Sequence, residues 1–269
     1  MSQDSQLSAY TNYQGLFVEV IEHTAIITFN NPPAHTWTHL SLSSLRDLVI
    51  KLNDDKNIYA IVLTGSGDKF FSAGADLNAF ASGDKKVATD MANIFGQAFE
   101  TLSNYRGVSI AAINGYSMGG GLEVALACDI RIAEEHAVMA LPEASVGLLP
   151  CAGGTQNLAL LVGEGWTKRM ILCGERIDSE LALKIGLVEE IAAKGKGKEL
   201  GVLLANKVAK QSPVAVAACK GLIQKNRSMP IADALPFERQ AFVDLFDTKD
   251  QREGVQAFLE KRQPVWSNK

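Results

Sequence analysis

The stretch Ile58–Thr64 (IYAIVLT) is an unbroken run of strand length with no charged side chain. Such a strand has no face to offer water, so it must be covered on both sides, as strands of a parallel sheet are. The segments around it agree. Leu16–Glu22 and Ala25–Asn30 are β-branched and alternating, joined by a short His23-Thr24 turn, and Asn31-Pro32-Pro33 breaks the pattern. Leu40 to Asn53 has helical period, with Leu42, Leu45, Leu48, Val49 and Leu52 on one face. A glycine-rich loop follows over Gly65–Asp76, then a long helix from about Asp84 to Tyr105. Ser109–Ile113 reads as a buried strand ended by Asn114-Gly115, Leu122–Cys128 as a short helix and Ile130–Ala133 as a strand. After Gly174 helical patterns dominate, interrupted by the apolar piece Leu187–Ile191, and KGKGKE at 194–199 reads as a solvated loop. No period of 20–50 residues is visible. Strands alternating with helices and then giving way to helices imply an α/β fold with a mostly helical C-terminal extension.

The 269 residues are enough for one large α/β unit that needs no disulfide or metal staple. Twenty-six Lys and Arg against 30 Asp and Glu leave a formal charge of −4, so no global basic excess draws the chain to nucleic acid or an anionic membrane. The four cysteines (128, 151, 173 and 219) form no CxxC and have no histidine at zinc-finger spacing, which suggests free thiols in a reducing compartment. The N-terminus lacks the basic and apolar regions of a secretory signal. An uncharged window at Ala144–Gly163 spans twenty residues, but Pro150, four glycines, Thr155, Gln156 and Asn157 argue against a membrane span. The expectation is a cytoplasmic protein.

Gly115-Tyr116-Ser117-Met118-Gly119 fits the nucleophile elbow of α/β-hydrolases. That serine needs a histidine base further along the chain, and the only one after it, His136, follows by 19 residues, with none in the 133 beyond. The hydrolase reading therefore fails. Thr64-Gly65-Ser66-Gly67 follows a strand, yet Phe70 stands where a dinucleotide fingerprint needs its third glycine, and no phosphate-loop GxxxxGK[ST] occurs. No histidine pair suits a metal. What remains is two glycine-bearing loops, Phe71–Leu77 and Gly119–Glu123, each running from a strand toward a helix, and two glutamates in apolar company. Glycines let backbone approach a ligand, and free N–H groups at a helix start can bind an anionic oxygen. Glu123 lies in the first turn of an apolar helix, where the dipole alone would suit a carboxylate. Glu143 is the only charge between Glu135 and Glu164, either a surface turn residue or a desolvated acid. Together the parts suit acid–base chemistry on a carbonyl compound.

FSAGADL at 71–77, INGYSMGGGLEVALACDIRIA at 113–133, LPEASVGLLPCAGGTQNL at 141–158 and EGVQAFLEKR at 253–262 resemble the enoyl-CoA hydratase/isomerase (crotonase) superfamily, from about Leu16 to the C-terminus. The resemblance implies a crotonase-like spiral of ββα units over 15–200, after a flexible tail at 1–14, and a helical trimerisation region over 201–269. It implies a homotrimer or a dimer of trimers acting on an acyl-CoA thioester, with no cofactor beyond the CoA of the substrate and no metal. By that likeness the N–H groups of Ala75 and Gly120 form an oxyanion hole and Glu123 and Glu143 are the catalytic acids. Ala75, Asp76, Leu77 and Asn78 line the CoA path, and Phe242 and Lys261 touch CoA, in some members across a subunit boundary. The implied reaction is addition of water across the 2,3 double bond of a 2-enoyl-CoA, as in fatty-acid β-oxidation. Glu123 would hold and deprotonate the water, and Glu143 would protonate Cα. The rivals are an enoyl-CoA isomerase, which needs one base and no held water, or another crotonase activity on a CoA thioester, and a non-catalytic scaffold or RNA-binding relative; the two glutamates disfavour the isomerase, and together with the −4 charge they disfavour the non-catalytic relative.

Three departures from the family pattern stand out. Pro33 occupies the first loop where a basic residue often meets the CoA phosphates. Cys151 stands where hydratases usually have glycine, and would be strained if the backbone there needed positive φ. Asn157 replaces the arginine usual after GGTQ, at an expected surface position.

Overall fold

In a computed structural model the chain is described over residues 10–269, so residues 1–9 of the expected tail lie outside the described residues. The tail expectation does not hold at Tyr10, which is buried, its hydroxyl donating to Asp55 Oδ2 at 2.6 Å.

The apolar run at 60–65 lies inside a six-stranded sheet in the order β1-β2-β3-β5-β7-β10. Here β1 is Leu16–Ile21, β2 Thr24–Phe29, β3 Ala60–Gly65, β5 Val108–Ile113, β7 Ile130–Glu134 and β10 Glu190–Ala192. Only the β1–β2 hairpin is antiparallel within it. Every residue of β3 is buried, as its unbroken apolar run requires. Side chains alternate between faces. Ile61, Leu63, Ala111 and Ile113 join the larger core, with Leu45 and Leu48 of α1 (His39–Asp54) and Phe95 and Phe99 of α2 (Lys85–Ser103). Ala60, Val62, Ile110 and Ala112 point the other way, against Leu200, Leu204, Ala205 and Val208 of α6 (Gly197–Val208). The domain boundary expected at residue 200 therefore falls inside a helix that covers the main sheet. The solvated loop expected at 194–199 is likewise partly helix start, pinned by the buried Glu134 carboxylate, which accepts from Gly195 N at 2.7 Å and Gly197 N at 3.0 Å.

A second, four-stranded sheet runs β4-β6-β8-β9, made of β4 (Phe70–Ser72), β6 (Tyr116–Met118), β8 (Val138–Ala140) and β9 (Ile177–Asp178). β4, β6 and β8 are mutually parallel. The chain winds from the large sheet to the small one three times: β3 to β4, then α2; β5 to β6, then α3 (Gly120–Leu126); β7 to β8. This is the spiral of ββα turns. It leaves no sequence period because α2 has 19 residues and α3 only 7. The remaining helices are α4 (Gly154–Leu172), broken at Gly163 by a φ of 75° and ψ of 166°, α5 (Ser179–Ile185), α7 (Pro213–Lys225), α8 (Ile231–Asp244) and α9 (Lys249–Leu259). Among the described residues no helix is long and apolar enough to cross a membrane. The last residues are tied down as well: the buried Asp250 carboxylate accepts from Ser267 N and Asn268 N, and Asn268 Nδ2 donates to Lys56 O.

The turns of the spiral touch at glycine. A Cβ on Gly121 would overlap the Ser72 carbonyl, whereas one on Gly221, inside α7, meets nothing within 4 Å. Gly121→Ala is expected to lower stability by about 1–3 kcal/mol through overpacking, and Gly221→Ala to raise it by roughly 0.5–1 kcal/mol. Urea unfolding of the two variants beside wild type measures both signs.

Candidate active site

Parallel pairing of β4, β6 and β8 brings their C-terminal ends to one edge, and open parallel sheets bind ligands at that edge. Each strand runs directly into a site segment: β4 into the loop holding Ala75, β6 into Gly119 and Gly120, β8 into a 3₁₀ turn that begins at Glu143.

The first loop is held by bonds to the segment before α1. Ala73 N donates to Ala34 O at 2.9 Å, Trp37 N to Gly74 O at 2.7 Å, and Asp76 N to Trp37 O at 3.1 Å. Ser72 Oγ donates to His35 O at 2.8 Å and accepts from Gly74 N at 3.2 Å. His35 is itself locked: its Nδ1 accepts from Asn31 N, which leaves Nε2 protonated to donate to Ser66 O at 2.8 Å. In a parallel bridge of this kind, Ala75 lies between two residues bonded to Trp37, and its own N–H is turned the other way. Gly74, with φ at 88°, admits the second loop closely, its would-be Cβ lying 3.1 Å from Gly120 N. Gly120 begins α3 after Gly119, whose φ of 53° carries no capping side chain, so the Gly120 N–H is one of the helix's open donors. Among the described residues neither the Ala75 nor the Gly120 N–H meets an acceptor.

Both glutamates line the same cavity as these loops, a space of about 530 Å³. Glu123 is 2 % exposed, and its Oε1 accepts from Ala152 N at 2.7 Å and Gly154 N at 3.0 Å, at the start of α4. Burial raises its pKa, while those backbone donors and that of Cys151 pull the other way. Glu143 is different. Neither of its buried carboxyl oxygens has a hydrogen-bond partner among the described residues, and burial, then the charge of Glu123, pushes its pKa up to about 7. Oε1 stands 3.0 Å from where a Cβ on Gly119 would be, so a side chain at 119 would displace it.

The other expected residues are placed less uniformly. Leu77 lines the cavity. Asp76 and Asn78 do not; Asp76 Oδ1 accepts from Asn78 N and Nδ2, capping the 3₁₀ turn Leu77–Phe80. Phe242 and Lys261 stay away from the cavity within one chain: Phe242 sits in the α7–α8 groove, edge-on to Phe246, and Lys261 follows α9. Cys151 lines the cavity and is not among the residues of positive φ, so the feared strain is absent; Gly153, φ 89°, makes the turn instead. Burial and the two glutamates push the Cys151 thiol up to about 11. Ser117 is buried, its hydroxyl donating to Gly121 O at 3.0 Å, which fixes it as a structural residue. Sequence reasoning missed His35 and Ser72, which hold the first loop, and the donors Ala152 and Gly154 that mark Glu123. The only trace of these donors was the CAGG string at 151–154.

The site can grip one oxygen between two N–H donors beside two acids of unequal proton affinity. The fold and the sequence match known proteins accordingly. The chain is 63 % identical to the solved structure of Pseudomonas aeruginosa DspI, with a TM-score of 0.94 over 96 % of this chain and 99 % of that one. It is 38 % identical to the putative enoyl-CoA hydratase/isomerase YngF of Bacillus subtilis, over 93 % of this chain and 97 % of the relative. It is 37 % identical to the short-chain-enoyl-CoA hydratase of Clostridium acetobutylicum, over 88 % and 92 %. The model of the enoyl-CoA hydratase/isomerase family matches residues 20–269, and the chain belongs to that family.

Proposed function

We propose that the protein is an enoyl-CoA hydratase, adding water reversibly across the 2,3 double bond of a 2-enoyl-CoA. The observation that carries this is the pair of acids in one cavity, Glu123 bonded to backbone N–H groups and Glu143 unpartnered. An isomerase needs one proton-transfer group; hydration needs one to take a proton from water and another to deliver one to Cα.

The thioester oxygen sits between the N–H groups of Ala75 and Gly120, which stabilise the enolate as water attacks Cβ. Donors of this kind are worth about 10²–10³ each in rate. Glu123, its charge supported by two N–H bonds, orients and deprotonates the water. Glu143, desolvated and beside a negative neighbour, carries the proton that goes to Cα. After hydration Glu123 holds the proton taken from water and Glu143 has given one to Cα, so one proton returns from Glu123 to Glu143, directly or by way of solvent, before the next turnover, and apparent pKa values belong to the pair. Leu77 flanks the thioester arm. Phe242 and Lys261 reach CoA from another copy of the chain, in a trimer or a dimer of trimers. The exposed apolar side chains of the C-terminal helices, Ile223, Phe242 and Val243 among them, support such an assembly.

Glu143→Gln should lower kcat for crotonyl-CoA about 10²–10⁴-fold while CoA-ester affinity, read by calorimetry, stays within about threefold; unchanged turnover would remove Glu143 from the mechanism. The pH profile follows from the sign of the shift. A carboxyl held protonated up to about 7 is lost as acid above that pH, so kcat/KM for hydration should fall on the alkaline side of about 7, and Glu143→Gln should abolish that limb. Light scattering should give the mass of three or six 28.9 kDa chains; a fully active monomer would contradict the placement of Phe242 and Lys261.

A further inference from the structure

Beyond the two acids, the cavity is apolar in a way the hydration chemistry alone does not require. No Lys, Arg, His, Asn or Gln lines it among the described residues. The one hydroxyl there, Ser145 Oγ, is already spent on Pro142 O at 2.7 Å. On α2, Ala88 and Ala92 lie one turn apart on the side facing the cavity, followed by Phe95, so the helix presents two methyl groups where longer side chains would fill the space. Another wall is Val146, Leu148 and Leu149, with Val146 54 % and Leu149 70 % exposed. A crotonyl group would bring a single methyl to these walls and leave most of that apolar surface in water.

We propose that Ala88 and Ala92 set the acyl-chain selectivity, keeping open a channel for an unbranched hydrocarbon tail longer than four carbons and giving no partner to an acyl group that ends in a carboxylate. The inference rests on the hydratase reading only in taking the thioester to occupy this cavity. A terminal carboxylate would enter without a cation to pair it and would meet a site that already holds two acids. A methylene buried there is worth up to about fourfold in affinity.

The test uses saturated CoA esters, whose binding does not depend on proton transfer. With the full chain, calorimetry should find octanoyl-CoA at least tenfold tighter than butyryl-CoA, and adipoyl-CoA at least tenfold weaker than hexanoyl-CoA. Ala92→Phe should reduce the octanoyl-to-butyryl ratio at least fivefold. Ala88→Leu, at a position exposed to the cavity, should reduce it in the same direction, with melting curves checking that both variants fold. Equal affinity for octanoyl and butyryl esters, adipoyl binding as tight as hexanoyl, or a ratio unmoved in both folded variants overturns the proposal. Chain-length preference without any hydration of 2-enoyl-CoA supports it and sinks the hydratase reading instead.

Discussion

The site depends on an electrostatic inequality between two carboxyl groups in one desolvated space. Water would solvate both alike, but here Glu123 takes two backbone N–H donors at the head of α4 and Glu143 takes none. Burial favours the proton on both, but the backbone donors offset part of that at Glu123, while at Glu143 the charge of Glu123 adds to it. Two acids lining one cavity resist double ionisation, and the charge of Glu123 adds to burial in raising the Glu143 pKa to about 7. The proposed acid–base chemistry draws on that difference.

The inequality is in turn a product of topology. Three strands of three residues each, β4, β6 and β8, have no stability of their own; they exist because each continues a longer strand of the main sheet after a bend. Their parallel stacking delivers Ala75, Gly120 and Glu143 from three turns of the spiral to one edge. Close approach between turns makes glycine obligatory at Gly74 and Gly119, where a side chain would meet Met118 O, Gly120 N or the Glu143 carboxyl. The protein spends these contacts on positioning, with Trp37, Phe95 and Phe99 in edge-on stacking beneath.

Much of this was legible in the amino-acid order. The unbroken run of β3, the leucine face of α1 and a helix starting at about Asp84 follow from the pattern of apolar residues, and the structure adds the Asp84 side chain as the cap of α2. The two loops and the two glutamates also stood out, because glycine clusters and lone charges in apolar stretches are rare. The short strands were not legible, since three residues carry no periodicity. Nor was α6 as a cover for the main sheet: KGKGKE reads as solvent-facing until the buried carboxylate of Glu134 is seen to hold its glycine N–H groups. The partners of Glu123 lie about thirty residues away, beyond any local pattern, as Ala152 and Gly154. Cys151 illustrates the converse, a residue that looked strained in sequence but takes ordinary backbone angles because Gly153 makes the turn.

The central claim is that Glu143 keeps its proton where an ordinary glutamate has lost it. Carbon-13 NMR of the protein labelled at glutamate side-chain carboxyls, titrated without ligand, reads this directly. The account requires one carboxyl resonance to change near pH 7 and to vanish in Glu143→Gln. If every glutamate is fully ionised by about pH 5.5, the division of labour between the two acids is wrong.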